Sequence, residues 1–289
     1  MIPKIELKDI SYVYGEGTPF ENPALKNVNM KIETGKITGL IGHTGSGKST
    51  LVRLLNGLER ATSGQILLDG FDIWEKPKEI GKVRFRVGLV MQYPEYQLFE
   101  ETVARDIGFG PKNMGLDADE IERRVTECAG LMGLAKSDLE KSPFELSGGQ
   151  KRRAAIAGIL AMHPEVLILD EPAAGLDPEG RNMIFNAIED YRRKENATVL
   201  IVSHSMEDMA VRCDDIIVLS HGETVLSGSK DSVFSDPHKL IDAGLDVPEI
   251  TRLAMIMVAK GFRFEKPIYT VSDAADDITK YLSMKGGEL

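Results

Sequence analysis

The run Gly42-His43-Thr44-Gly45-Ser46-Gly47-Lys48-Ser49 has the residue types and spacing to hold phosphate. Its glycines let backbone N–H groups turn inward on phosphate oxygens. A following helix would add the partial positive charge of its N-terminus. Lys48 is spaced to reach the β- and γ-phosphates and the Ser49 hydroxyl to ligate Mg²⁺, with Thr50 completing the candidate contact set. The alternative is a glycine-rich turn with an exposed lysine. Against it stands the context: an apolar strand predicted over 37–41 runs straight into the loop, and residues 49–58 carry helical spacing.

Two further constellations bear on the same chemistry. Val166-Leu167-Ile168-Leu169-Asp170-Glu171 is an apolar strand that delivers two acids to a sheet edge. Asp170 is expected to hold Mg²⁺ through water and Glu171 to polarise an attacking water. Alone the pattern is weak, because strands commonly end in solvated charges. Leu146-Ser147-Gly148-Gly149-Gln150 precedes a helix predicted over 151–162. Ser147, Gly148, Gly149 and Gln150 thus form a second helix start able to bind an anion. A nucleoside triphosphate has one γ-phosphate, and residues 42–49 already hold it. Two cradles in one chain predict that the second serves a nucleotide bound by another subunit. The alternative is an ordinary Ser-capped helix behind a glycine turn.

The elements that must position these groups alternate. Strands are predicted over 5–14, 28–32, 37–41, 65–68, 87–91, 166–169, 198–203 and 216–219, with a loop over 15–23. Helices are predicted over 49–58, 117–134, 151–162, 180–194 and 207–212, and 136–144 extends a small helical insertion. This alternation implies an α/β fold with a mostly parallel sheet covered on both faces. From about Asp231 strands stop, and Pro237, Pro248 and Pro267 punctuate short helical stretches.

With 289 residues the chain can build one large α/β domain plus an appendage. Lys+Arg number 35 against 45 Asp+Glu, a net charge of −10, which argues against a nucleic-acid binder. Cys128 and Cys213 form no Cys-x-x-Cys pair and read as reduced thiols. The charged N-terminus lacks the apolar core of a signal peptide, and apolar runs such as 154–162 fall short of the roughly 18 residues that span a bilayer. The chain reads as a cytosolic protein whose membrane role would come through partners.

In order, Tyr14, the phosphate loop, Gln92 after a strand, Ser147–Gln150, the acid pair, Gly175-Leu176-Asp177 and His204 after a strand resemble the ATP-binding subunits of ABC transporters over residues 1–230. The resemblance implies a P-loop NTPase fold with an antiparallel β subdomain and a helical subdomain over about 93–162. A C-terminal helical dimerisation domain follows over 231–289. It implies ATP and Mg²⁺ as ligands. Tyr14 would stack on adenine; otherwise it is a strand-end core tyrosine. Gln92 would contact Mg²⁺ and water, Asp177 would reach across a head-to-tail dimer, and His204 would touch the γ-phosphate.

A narrower resemblance rests on residues 93–103, on Phe109-Gly110-Pro111-Lys112-Asn113, on Ala173-Ala174-Gly175 and on Gly244-Leu245-Asp246-Val247-Pro248. These resemble the energy-coupling factor (ECF) branch, in its A-prime ATPase form. That implies a heterodimer with a related A-type ATPase, a transmembrane T subunit, a substrate-binding S component and a peripheral place on the cytoplasmic face of the cell membrane. ATP hydrolysis would drive uptake of a vitamin or metal ion. Residues 97–103 mix apolar groups with acids, which suits a groove for a basic amphipathic helix, or else an acidic surface helix without a partner. Departures are small: Ala173 and Ala174 replace a threonine common in relatives, and Lys151-Arg152-Arg153 is unusually basic. The alternatives are the ATPase of another ABC transporter class, a nucleotide-gated switch without useful hydrolysis, and a soluble ABC-type ATPase acting on ribosomes or nucleic acid. The acidic balance disfavours the last.

Overall fold

Strand β1 (Ile5–Tyr14) buries Ile5, Leu7 and Ile10; Asp9 takes a φ of +51° and shifts the register between Leu7 and Ile10. β2 (Asn22–Ile32) pairs antiparallel with β1 and begins well before the predicted residue 28, because the pairing continues, through several shifts of register, back to Tyr14 opposite Asn22. β3 (Ile37–Ile41) is buried throughout and leads through the phosphate loop into α1 (Lys48–Leu55). β4 (Ser63–Leu68) and β5 (Phe71–Asp72) complete an antiparallel sheet ordered β2-β1-β4-β5. The computed structural model describes residues 2–285.

α2 (Ile80–Arg86) leads into β6 (Val87–Val90). A short 3-10 turn, Pro94–Gln97, and an extended link then reach α3 (Val103–Asn113), whose first turn is capped by Thr102. Residues 97–103 are therefore not the helix that one reading of their pattern required. α4 (Ala118–Leu131), α5 (Lys136–Leu139) and α6 (Gly148–Leu160) complete the helical insertion, with α3 packed on α4 and α6. α6 starts at Gly148 rather than Lys151, because Ser147 and Gln150 cap it reciprocally.

β7 (Val166–Asp170), α7 (Pro178–Glu195), β8 (Thr198–Val202), α8 (Met206–Arg212), β9 (Asp215–Ser220) and β10 (Glu223–Ser229) follow. The second sheet runs β10-β9-β3-β8-β7-β6, parallel except for the β9–β10 pair. Its parallel strands are apolar on both faces, while β10 at the edge is half-exposed. Leu167 and Leu169 join the core beneath α6 and α7, while Val166 and Ile168 join the core shared with α1 and the antiparallel sheet. Each such side chain taken from water contributes about 1.5–3 kcal/mol. Both cysteines are free and buried, and burial pushes their thiols up to about 12.

Among the described residues only helices follow β10: α9 (Lys230–Phe234), α10 (Pro237–Asp242), α11 (Glu249–Ala259) and α12 (Val271–Lys285). Val233, Phe234, Leu240 and Val247 belong to the large core, whereas Ala254, Ile268 and Ala274 form a small separate one. Among the described residues no helix is long and apolar enough to cross a membrane.

A charge network joins the antiparallel sheet to the α/β core. Glu165 accepts from Lys4 at 2.6 Å and from Arg86 at 2.7 and 2.8 Å, and both cations also reach Asp69. The Arg86 guanidinium, aided by Lys4, holds the Glu165 carboxyl down at about 2 from an ordinary 4.5. A depressed carboxyl stabilises the fold above its unfolded value and loses that effect as pH falls toward its folded one. Glu165→Gln should therefore lower the Tm at neutral pH, with the deficit closing between pH 4.5 and 2. Its side chain is 44% exposed, so screening limits the loss to about 1 kcal/mol. Thermal melts across that range check this; a pH-independent deficit would contradict it.

Candidate functional site

The phosphate loop is shaped by close packing. A Cβ on Gly42 would lie 2.3 Å from the Leu219 carbonyl oxygen, and Gly47 has a φ of +104° with the Ala24 carbonyl oxygen 2.7 Å from where a Cβ would sit. The β9–β10 turn braces the loop. Gly222 N–H donates to the Ser46 carbonyl at 3.1 Å, and His221 N–H donates to His43 Nε2 at 3.3 Å, with the two imidazoles 4.7 Å apart. Forcing a side chain in at Gly47 costs on the order of 1–3 kcal/mol of strain. Gly47→Ala should thus weaken ATP binding about tenfold or more, as read by titration with a fluorescent ATP analogue. Unchanged affinity would show that the loop tolerates another geometry.

Lys48 is 7% exposed and donates to the Gly42 and His43 carbonyls at 2.6 and 3.0 Å. Burial lowers its pKa, opposed by Asp170 and Glu171. A γ-phosphate arriving here would compete with these carbonyls for the ammonium. A cleft of about 470 Å³ opens over the loop. It gathers Tyr14, Thr44, Gly45, Gly47, Lys48, Ser49, Thr50, Gln92, Asp170, Glu171 and His204, residues drawn from five separate segments. Gly42, His43 and Ser46 shape the loop from behind. The Tyr14 hydroxyl lies 2.9 Å from Thr50 Oγ1, and its ring meets Tyr12 edge to face. The ring is thus fixed at the cleft wall, where a base could stack.

Burial raises the Asp170 carboxyl, while Lys48 and the Ser49 hydroxyl pull it back. A cation would relieve that burden. The hydroxyl of Ser49, the amide of Gln92 and the carboxylate of Asp170 are hard oxygen donors of the kind Mg²⁺ takes. Glu171 sits at a φ of +51°, a strained position for a non-glycine residue. Its carboxylate accepts from His204 N–H at 2.8 Å and from the Ser203 hydroxyl at 3.2 Å. Burial raises it as well, and His204 is the main opposing influence. The His204 ring stays 55% exposed, its Nε2 3.7 Å from Glu171.

Ser147, Gly148, Gly149, Gln150 and Asp177 do not line this cleft. Ser147 Oγ accepts from Gln150 N–H at 3.3 Å, and Gln150 Oε1 accepts from Ser147 N–H at 3.0 Å. Asp177 caps α7 by accepting from Gly180 N–H at 2.8 Å. Ser147, Gly148 and Asp177 are exposed.

Sequence reasoning missed the residues that tie these loops together. Arg152, on α6, is 4% exposed; its Nε and Nη2 grip Glu95 at 3.0 and 2.8 Å, and its Nη1 donates to the Ala174 carbonyl. It joins the start of α6 to the segment after Gln92 and to the segment after Glu171. The basic triplet 151–153 was the only sequence signal. Elsewhere, Glu127, His163 and Glu195 cluster within metal-binding reach, but Lys194 and Arg123 already pair with Glu127.

The ABC transporter family profile matches residues 25–174. The energy-coupling factor transporter ATP-binding protein EcfA2 of Clostridium acetobutylicum is 50% identical over 279 residues, covering 96% of this chain and 98% of its own length. The protein of the same name from Clostridioides difficile is 49% identical and covers 98% of this chain and 99% of its own. Among solved structures, cbiO1 from Clostridium perfringens, part of the ABC transporter complex cbiONQ, superposes with a TM-score of 0.74 at 36% identity, covering 89% of this chain and 99% of that one. The ATP-binding cassette MJ0796, in a dimeric post-hydrolysis state bound to ADP and Pi, gives 0.70 at 27% identity over 78% of this chain and 98% of its own.

Proposed function

The chain belongs to the ABC transporter ATP-binding proteins, within the energy-coupling factor group; from that premise we propose that it hydrolyses ATP as one half of a heterodimer driving a membrane importer. The observation that carries this is the division of its residues. One set converges on a single cleft, and Ser147–Gln150 lie outside it.

In this reading the loop N–H groups and Lys48 hold the β- and γ-phosphates, and Tyr14 packs on adenine. Ser49, Asp170 and Gln92 would hold Mg²⁺, which supplies charge neutralisation on the phosphate oxygens when bound. Glu171, held by Ser203 and the His204 amide, orients the attacking water and accepts its proton, and His204 contacts the γ-phosphate. Residues 147–150 of this chain complete the site on a second, A-type ATPase, as that subunit's matching residues complete this one. Catalysis is then positional and electrostatic.

The exposed rings of Phe99 and Phe109 line a groove of about 320 Å³ beside Asp106, and Tyr93 and Tyr96, earlier in the same segment, are exposed as well. With Glu100 and Glu101 adjacent, this surface suits a basic, apolar helix of a transmembrane T subunit. Leu253, Ile256 and Val258 of α11 are exposed, which supports residues 231–289 as a dimerisation unit. The cargo, a vitamin or metal ion, would be chosen by an S component, and this chain would sit peripherally at the cytoplasmic face.

Isolation of the tagged chain from membranes tests this assembly. Equal amounts of a second ABC ATPase, a T subunit and a small membrane-embedded S protein are expected, with ATP turnover in that complex. A large transmembrane partner without an S protein would place the chain in another ABC class, and co-sedimentation with ribosomes would contradict transport altogether.

A further inference from the structure

Arg181 lies one turn into α7, directly behind the loop 175–177, and its backbone N–H donates to the Asp177 carbonyl at 2.9 Å. Its guanidinium leaves α7 and grips α8. Nε donates to both carboxylate oxygens of Asp208 at 3.1 and 3.0 Å, and Nη2 donates to the Ser205 hydroxyl at 2.8 Å. Ser205 caps α8, and its own N–H donates to Ser203 Oγ at 3.1 Å. The Ser203 hydroxyl donates in turn to Glu171. The chain Asp177–Arg181–Ser205–Ser203–Glu171 is thus unbroken, and His204 sits in its middle.

We propose that Arg181 is a positioning residue that couples the loop 175–177 to the switch segment 203–205, setting the placement of Glu171 and His204. The inference rests on the ATPase reading above. A rigid fork is needed because two acceptors on different groups must be held at once. A lysine at this position retains the charge pair with Asp208 but cannot also fix Ser205. Asp208 has a second cation, Arg212, at 3.6 Å, and Arg212 is itself stacked on Phe185 at 4.2 Å. Loss of the Arg181 fork therefore leaves a buried carboxylate still paired, so the fold is retained.

The test is Arg181→Lys in the assembled complex. Small displacements of catalytic groups cost about tenfold to a hundredfold in rate, so kcat should fall about tenfold or more. The KM for ATP should change less than about threefold, and thermal unfolding should match wild type. Ser205→Ala, which leaves the Arg181–Asp208 pair intact, should give the same split between kcat and KM. It decides the matter if Arg181→Lys fails to fold. Wild-type kcat in these variants overturns the coupling, as does a parallel loss of ATP affinity. A wild-type complex without ATP turnover sinks the ATPase reading and this proposal together; turnover that the variants leave undiminished sinks this proposal alone.

Discussion

Glu171→Gln should lower ATP turnover of the assembled complex by about two to four orders of magnitude, the range a positioned general base supplies. ATP binding should persist and a closed dimer accumulate. Glu171 lies in the cleft beside Lys48 and Asp170, at a positive φ that the flanking structure must enforce. An amide is nearly the same size, so the loop survives, but it accepts a water's proton poorly. Burial raises this carboxyl above the ordinary value of 4.5, so wild-type turnover should fall as pH drops through the raised value, earlier than for an exposed glutamate. Ser203→Ala removes one hydrogen bond that lowers it and should move the acid limb further up. Turnover unaltered in Glu171→Gln would remove Glu171 from this role.

Ser147→Arg should spare ATP binding by the isolated chain and cut turnover of the complex about tenfold to a thousandfold, the cost of losing preorganised donors to a phosphate. Ser147 is exposed at the start of α6 and outside this chain's own cleft. Its loss as a cap costs only about 1 kcal/mol, too little to unfold a domain of this size. The bulky cation instead obstructs the surface that would close on the other subunit's nucleotide. A fall in this chain's own ATP affinity, with normal turnover at saturation, would defeat the cross-subunit arrangement.

Strand, loop and helix around residues 37–55 were legible because one apolar run, one glycine pattern and one helical period adjoin in sequence. So was the buried strand ending at Asp170. α3 was not, because Gly108, Gly110 and Pro111 mask it; only Val103, Ile107 and Pro111, spaced four apart and buried, mark its inner face. β10 was missed because an edge strand with an alternating, half-exposed pattern buries too little to stand out. The start of α6 was placed late because Gly148 and Gly149 are poor helix formers, and the reciprocal cap outweighs them. Single-residue contacts at long range were beyond reach. Glu95 and Arg152 are 57 positions apart, and Arg181 and Asp208 27 apart, so nothing local links them. Nor does any sequence pattern announce that Glu171 must take a left-handed backbone.

In the proposed assembly this chain contributes to two ATP sites, one through Lys48 and one through Ser147. A photoreactive ATP analogue with its label on the γ-phosphate reads both at once in the assembled complex. The peptide containing residues 146–150 should still be labelled when this chain carries Lys48→Ala, and should lose its label when the phosphate-loop lysine of the second ATPase is replaced. Labelling that Lys48→Ala abolishes, and that the change in the second ATPase leaves intact, would place both cradles on one nucleotide and contradict the account.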